Sequence, residues 1–191
     1  MQVSDKHKFL FFHVRRTGGS SIASALGDVS KDPFKDRHQR PSRVRQRVPE
    51  KFKTYFKFSF VRNPWDRMVS WYAYDCKVNP DFLKGGKHYQ MKFPNHLEYR
   101  LYKARMGNGG SECQVHFLGI NGELMMDFIG RYENLQEDFD KVCSHVGIRT
   151  RTLPHAKKTN RKGYRRYYND KTKDLVAQMF AEDTETFNYR F

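Results

Sequence analysis

Cysteine is scarce in this chain: Cys76, Cys113 and Cys143 are widely spaced, odd in number and form no CxxC pair. Such a set is a poor disulfide framework and reads as reduced thiols in a reducing compartment. Long apolar runs are missing too. The stretch Phe9-Leu10-Phe11-Phe12 is far too short for a signal core or a membrane span, and the residues before it have no secretory pattern. A cytoplasmic protein without membrane association is therefore expected. No repeat at a fixed period and no low-complexity tract occurs. HExxH, a Cys/His cluster and an EF-hand loop are all absent, so no metal is expected. GxxxxGK[ST] is absent as well, which counts against an ATP-dependent phosphotransferase of P-loop type. Acidic residues are few: 21 Asp and Glu face 36 Lys and Arg, for a formal net charge of +15. That balance favours anionic partners, whether nucleic acid, an anionic glycan such as heparin, a phosphorylated cofactor or a membrane surface, and does not choose among them.

What is present is enough for a folded core. The chain has 191 residues, 38% hydrophobic and 15% aromatic, which fits one domain over residues 1–191 and excludes a disordered chain. A first strand is expected from about Lys8 to Val14, followed by a glycine pair and a helix ending near Gly27. Ser42 is a candidate cap for a short helix limited by Pro49. Tyr55 to Val61 alternates as a second strand, with Phe56, Phe58 and Phe60 on one face. Pro64 suits the first position of a helix whose buried side carries Trp65, Met68, Val69 and Tyr72. Asn95 to Met106 reads as a further helix. Asn121-Gly122 signals a hairpin turn, and Leu124 to Tyr132 reads as a core strand. Asn134 with Glu137 has the spacing of a capping box, opening a helix that Gly147 ends. A basic loop from Arg149 to Arg166 precedes a last helix, about Asp170 to Glu182. Strands alternating with helices predict an α/β fold with a mainly parallel sheet, whose ligands bind beyond the carboxyl ends of the strands.

Two strand-turn-helix junctions carry anion-binding chemistry. After the first strand comes Arg15-Arg16-Thr17-Gly18-Gly19-Ser20-Ser21. Glycines admit close approach of backbone N–H groups to phosphate oxygens, the following helix presents its positive end, and hydroxyls and guanidinium groups add donors. After the second strand, Arg62 is followed eight residues later by Ser70, within Phe60-Val61-Arg62-Asn63-Pro64-Trp65-Asp66-Arg67-Met68-Val69-Ser70. Arg67 reads as a surface residue or a structural ion-pair former. Two phosphate-type junctions point to a ligand with two separated anionic groups.

Together these stretches resemble the signatures of sulfotransferases that use 3′-phosphoadenosine 5′-phosphosulfate (PAPS), and most closely the carbohydrate O-sulfotransferases, a family that includes heparan sulfate and chondroitin enzymes and small bacterial members. The family's first motif reads P/Q-K-T-G-G-T-S, and its second reads F-V-R-N-P-W-D-R-x-V-S, which this chain matches from Phe60 to Ser70. Asp127 to Leu135 and the tail from Leu153 to Phe191 are similar to further family blocks; the resemblance lapses at about 76–112. It implies a three-layer, P-loop-like fold with a mainly parallel central sheet flanked by helices. It also implies a sulfuryl transfer that needs no metal, from PAPS to a carbohydrate hydroxyl, by in-line displacement. Arg15, Arg16, Thr17, Gly18, Gly19, Ser20 and Ser21 would hold the 5′-phosphosulfate. Arg62 and Ser70 would bind the 3′-phosphate, and Arg161, Lys162 and Gly163 would extend that site. Where the family has Lys, this chain has Arg16, which stabilises charge but does not readily give up a proton.

The reaction needs a base for the acceptor hydroxyl, and histidine suits neutral pH. His38, in His38-Gln39-Arg40-Pro41-Ser42 between the two motifs, is the candidate; Asp32, Asp36 and Glu133 are the rival carboxylates. A basic nucleic-acid- or heparin-binding module is the alternative that the charge alone supports.

Overall fold

Phenylalanines build the centre of this protein. In the computed structural model, which describes residues 1–27, 29–31, 34, 36–78, 92–105, 112–154 and 161–191, the strand β2 (Phe9–Phe12) is buried at every position. It pairs in parallel with β3 (Phe56–Val61), in the register Phe9↔Phe56 through Phe12↔Ser59. β3 pairs in parallel with β6 (Phe128–Arg131), and β1 (Gln2–Ser4) adds an antiparallel edge, giving the order β1-β2-β3-β6. On one face Phe9, Phe11, Phe58 and Phe60 interlock, with Phe11 stacked on Phe58 at 5.0 Å between ring centroids. Helices α1 (Gly19–Ala25) and α7 (Leu135–His145) cover that face through Ile22, Phe139 and Val142. Towards the other face, Phe12 meets Phe52 of α3 (Pro49–Thr54) edge to face. The expected fold, a mainly parallel α/β sheet flanked by helices, is what forms, because strands buried on both faces read as near-continuous apolar runs.

Contacts between Cα atoms divide the chain into two compact units, Met1–Arg62 with Gln114–Lys157, and Asn63–Cys113 with Lys158–Phe191. The sheet, α1, α2 (Pro41–Arg47), α3, α6 (Gln114–Leu118), the small hairpin of β4 (Gly119–Ile120) and β5 (Glu123–Leu124), and α7 belong to the first. The second holds α4 (Pro64–Val78), α5 (Phe93–Arg105), α8 (Asp170–Met179) and α9 (Ala181–Thr186). Its core gathers Trp65, Met68, Val69, Trp71, Phe93, Leu97, Val176 and Phe180. The Asn63 side chain accepts from Trp65 N–H at 3.0 Å, capping α4, and donates to the Arg190 carbonyl at 2.8 Å. Asp75 lies between the buried His96 at 2.9 Å and Arg100, tying α4 to α5. The three cysteines are free.

Several local expectations change. β1 carried no recognisable pattern. Ser42 is not a cap: α2 starts at Pro41 with Arg40 as its N-cap, and Pro49 opens α3 instead of only closing α2. Both prolines sit where a missing N–H costs nothing. The stretch 124–132 is not one strand. β4 (Gly119–Ile120) and β5 (Glu123–Leu124) form the hairpin expected at Asn121-Gly122, both turn residues having positive φ, and β6 starts only at Phe128. The Asn134 side chain makes no cap hydrogen bond. A reciprocal capping box occurs instead at Asn169 and Thr172, before α8. Arg67 is not on the surface: it is 1% exposed, donates to the Glu112 carbonyl at 2.9 Å and lies over Trp71 and Phe180.

Gly130 shows how closely the strands approach. A Cβ there would lie 2.4 Å from the buried Phe60 ring, its partner across the β3–β6 ladder. Gly130→Ala is expected to cost about 1–3 kcal/mol by overpacking. Denaturant titration checks this, and an unchanged midpoint would mean that β6 is free to move off Phe60.

Candidate active site

The first junction is shaped by the residues themselves. After Phe12 the chain leaves the sheet through His13 and Val14, both buried, and turns at Arg16, whose φ is +68°. A side chain as large as Arg rarely occupies left-handed backbone, because Cβ crowds the following carbonyl. Two hydrogen bonds hold the turn. Thr17 Oγ1 donates to the Val14 carbonyl at 2.9 Å, and Arg62 Nη1 donates to the Arg16 carbonyl at 3.0 Å. Gly18, at φ +84°, is the N-cap of α1, and Ser21 N–H bonds back to its carbonyl. The two glycines are needed for different reasons. A Cβ on Gly18 would meet Leu135 at 2.7 Å, and one on Gly19 would meet the His13 ring at 2.0 Å.

The second junction begins where β3 ends. Ser59 Oγ donates to the Phe12 carbonyl at 2.7 Å and locks the carboxyl ends of β2 and β3 together. Arg62 follows β3 directly and is 3% exposed. Its guanidinium lies 3.6 Å above the Tyr132 ring, a close cation–π contact, while it reaches the Arg16 carbonyl. The first motif, the second motif and the Asp127–Leu135 block thus meet at one arginine.

His38 lies in the same unit. Its Nδ1 is 2.8 Å from the His13 carbonyl, which can only accept, so Nδ1 carries the proton and Nε2 is left as the basic nitrogen. The His38 N–H is held by Asp36 Oδ1 at 3.0 Å, and the ring sits 4.6 Å from that of His13. Burial, and next to it the positive charges of Arg15 and the chain's amino terminus, hold the His38 pKa below its ordinary value. The imidazole therefore stays neutral near pH 7. His13, one of eight histidines in the sequence and not singled out there, fixes the tautomer of His38 through its carbonyl and fills the space over Gly19 with its ring.

The remaining candidates lie on other elements. Ser70 is buried in α4, and Arg161, Lys162 and Gly163 precede a 3-10 turn at Tyr164–Tyr167, all in the second unit. Arg161 pairs with Asp66 at 2.6 Å. Asp36 is spent on the His38 backbone, Glu133 is exposed, and Asp32 and residues 155–160 lie outside the described residues. Among the described residues no group of His, Cys, Asp and Glu is spaced to hold a metal, and no helix is long and apolar enough to cross a membrane.

The chain belongs to the Sulfotransferase family, whose family model matches residues 1–190. Carbohydrate sulfotransferase 10 of Xenopus laevis is 25% identical, over 98% of this chain and 66% of its own length. Carbohydrate sulfotransferase 14 of Mus musculus is 25% identical, over 81% of this chain and 47% of its own. An uncharacterized protein of Archaeoglobus fulgidus is 32% identical over 115 residues, 55% of this chain and 79% of the relative. The chain thus spans just under two thirds of the frog protein and about half of the mouse protein. A crystal structure of a sulfotransferase from Alicyclobacillus acidocaldarius overlaps 79% of this chain and 60% of its own with a TM-score of 0.46 and 15% identity.

The depressed pKa of His38 has a measurable sign. The unfolded chain takes up this proton more readily than the folded one. The contribution to stability is therefore complete above the ordinary value of 6.5 and is lost as pH falls from there through the lowered folded value. As pH falls below 6.5, unfolding midpoints of the unmutated protein should fall faster than those of His38→Gln. Parallel curves would show that His38 titrates as it does in water.

Proposed function

We propose that the protein transfers a sulfuryl group from PAPS to a hydroxyl of a carbohydrate. The observation that carries this reading is the attachment of a neutral, tautomer-fixed histidine to the segment that leads from β2 into the anion loop, through His38 Nδ1 and the His13 carbonyl. The donor supplies an activated sulfuryl group on a nucleotide with phosphates at both ends, and the donor set of Arg15–Ser21 together with Arg62 suits that charge. Arg16, the Gly18 and Gly19 amides, and Ser20 and Ser21 stabilise negative charge at the 5′ end, with Thr17 holding the loop. Arg16 acts electrostatically, since a guanidinium keeps its proton. His38 Nε2 accepts the proton of the acceptor hydroxyl. Arg62 and Ser70 serve the 3′-phosphate by their match to the family's second motif, and Arg161, Lys162 and Gly163 extend that assignment, Arg161 sharing its charge with Asp66. The names of the frog and mouse relatives support a carbohydrate acceptor. The net charge of +15 suits an anionic glycan.

The test compares nucleotides. Adenosine 3′,5′-bisphosphate should raise the melting temperature well beyond the effect of AMP, because only the former carries a 3′-phosphate. Equal stabilisation by the two would overturn the reading, and steeply salt-dependent binding of heparin or polynucleotide without bisphosphate affinity would favour a basic binding module. His38→Ala should lower turnover by about 10²–10⁴ while bisphosphate affinity holds. Arg16→Ala should damage both. Sulfuryl transfer should also survive a chelator. Activity lost in chelator and restored by magnesium with ATP would mark a phosphotransferase instead.

A further inference from the structure

Gln114 is completely buried and opens α6, outside every motif recognised in the sequence. Its carboxamide pairs with both polar groups of the Arg62 backbone. Arg62 N–H donates to Gln114 Oε1 at 2.9 Å, and Gln114 Nε2 donates to the Arg62 carbonyl at 2.9 Å. The side chain copies what a neighbouring peptide group would offer and extends the sheet's hydrogen bonding one residue past the end of β3. From this fixed backbone the Arg62 guanidinium reaches the Arg16 carbonyl at 3.0 Å and lies on Tyr132. The left-handed backbone at Arg16 is thus braced by a relay that runs from Gln114 through Arg62.

We propose that Gln114 is a positioning residue for the nucleotide site, setting the Arg16 loop through Arg62 without touching the nucleotide. The inference rests on the reading of residues 15–21 and Arg62 as donor-binding groups. Its physical basis is that a buried N–H and a buried carbonyl left without partners are costly, so Arg62 moves to recover them when the amide is removed. A shift of Arg62 then releases the Arg16 carbonyl, and the loop relaxes from its strained conformation.

Gln114→Met keeps the volume and removes both hydrogen bonds. Gln114→Glu keeps the acceptor for Arg62 N–H and removes the donor, and it serves if the methionine variant does not fold. The first measurement is amide hydrogen exchange of residues 16–21 in the ligand-free protein. Exchange should accelerate by about 10-fold or more in either variant, the size of coupling usual within one hydrogen-bond network. Arg62→Met should have the same effect, and adding Gln114→Met to it should change nothing further, because the relay is already cut. The second measurement is adenosine 3′,5′-bisphosphate affinity, which should fall by about 10-fold in the Gln114 variants. A lowered melting temperature with unchanged loop exchange would make Gln114 purely structural and overturn the proposal. So would additive effects of the Gln114 and Arg62 substitutions. If the unmutated protein binds no bisphosphate, the donor reading fails, while the exchange cycle still decides whether Gln114 sets the loop.

Discussion

The parallel pairing of β2 with β3 is the constraint from which the site follows. Antiparallel neighbours would send their carboxyl ends to opposite ends of the sheet. The parallel register from Phe9↔Phe56 to Phe12↔Ser59 brings the chain out of both strands side by side. The Arg16 loop and Arg62 then stand within hydrogen-bond reach, although 46 positions separate them in sequence. Stacked phenylalanines fix that register, since a slip of β2 by one residue would carry Phe9 and Phe11 to the face opposite Phe58 and Phe60. The aromatic core is thus an alignment device for polar groups that lie outside it.

The strain at Arg16 belongs to the same logic. A glycine would adopt φ +68° at no cost, but would bring no charge. An arginine brings the charge and must be held. Thr17 and Arg62 hold it from its two sides. His13 joins His38 to this assembly, presenting its carbonyl to the His38 ring and its own ring to Gly19.

Much of this was legible in the sequence, and the reasons differ by residue. β3, Pro64 as the first residue of α4 and the Asn121-Gly122 turn were readable because alternation, ring constraint and positive φ are local properties. The family of the chain was readable from Phe60 to Ser70. β1 was not, because three residues give too short a pattern to register. Of the two readings of Arg67, surface residue or structural ion-pair former, the first fails because its burial depends on a carbonyl at Glu112, far along the chain. Asn134 has the spacing of a cap but follows β6 through a 3-10 turn, which sends its side chain elsewhere. Gln114 and Tyr132 act on Arg62 from long range, and no short pattern announces such a contact.

The amide clamp on Arg62 also closes a loop in the polymer sense, joining positions 52 apart without a covalent bond. The entropy of closing a flexible chain grows only logarithmically, by about 0.6 kcal/mol for each doubling of length. Insertions and deletions between positions 63 and 113 therefore change the free energy of closure little, provided that the two gripped ends stay the same. That freedom lies between the helices and not within them, because Trp65, Met68, Val69 and Trp71 of α4 and Phe93 and Leu97 of α5 fill the core of the second unit.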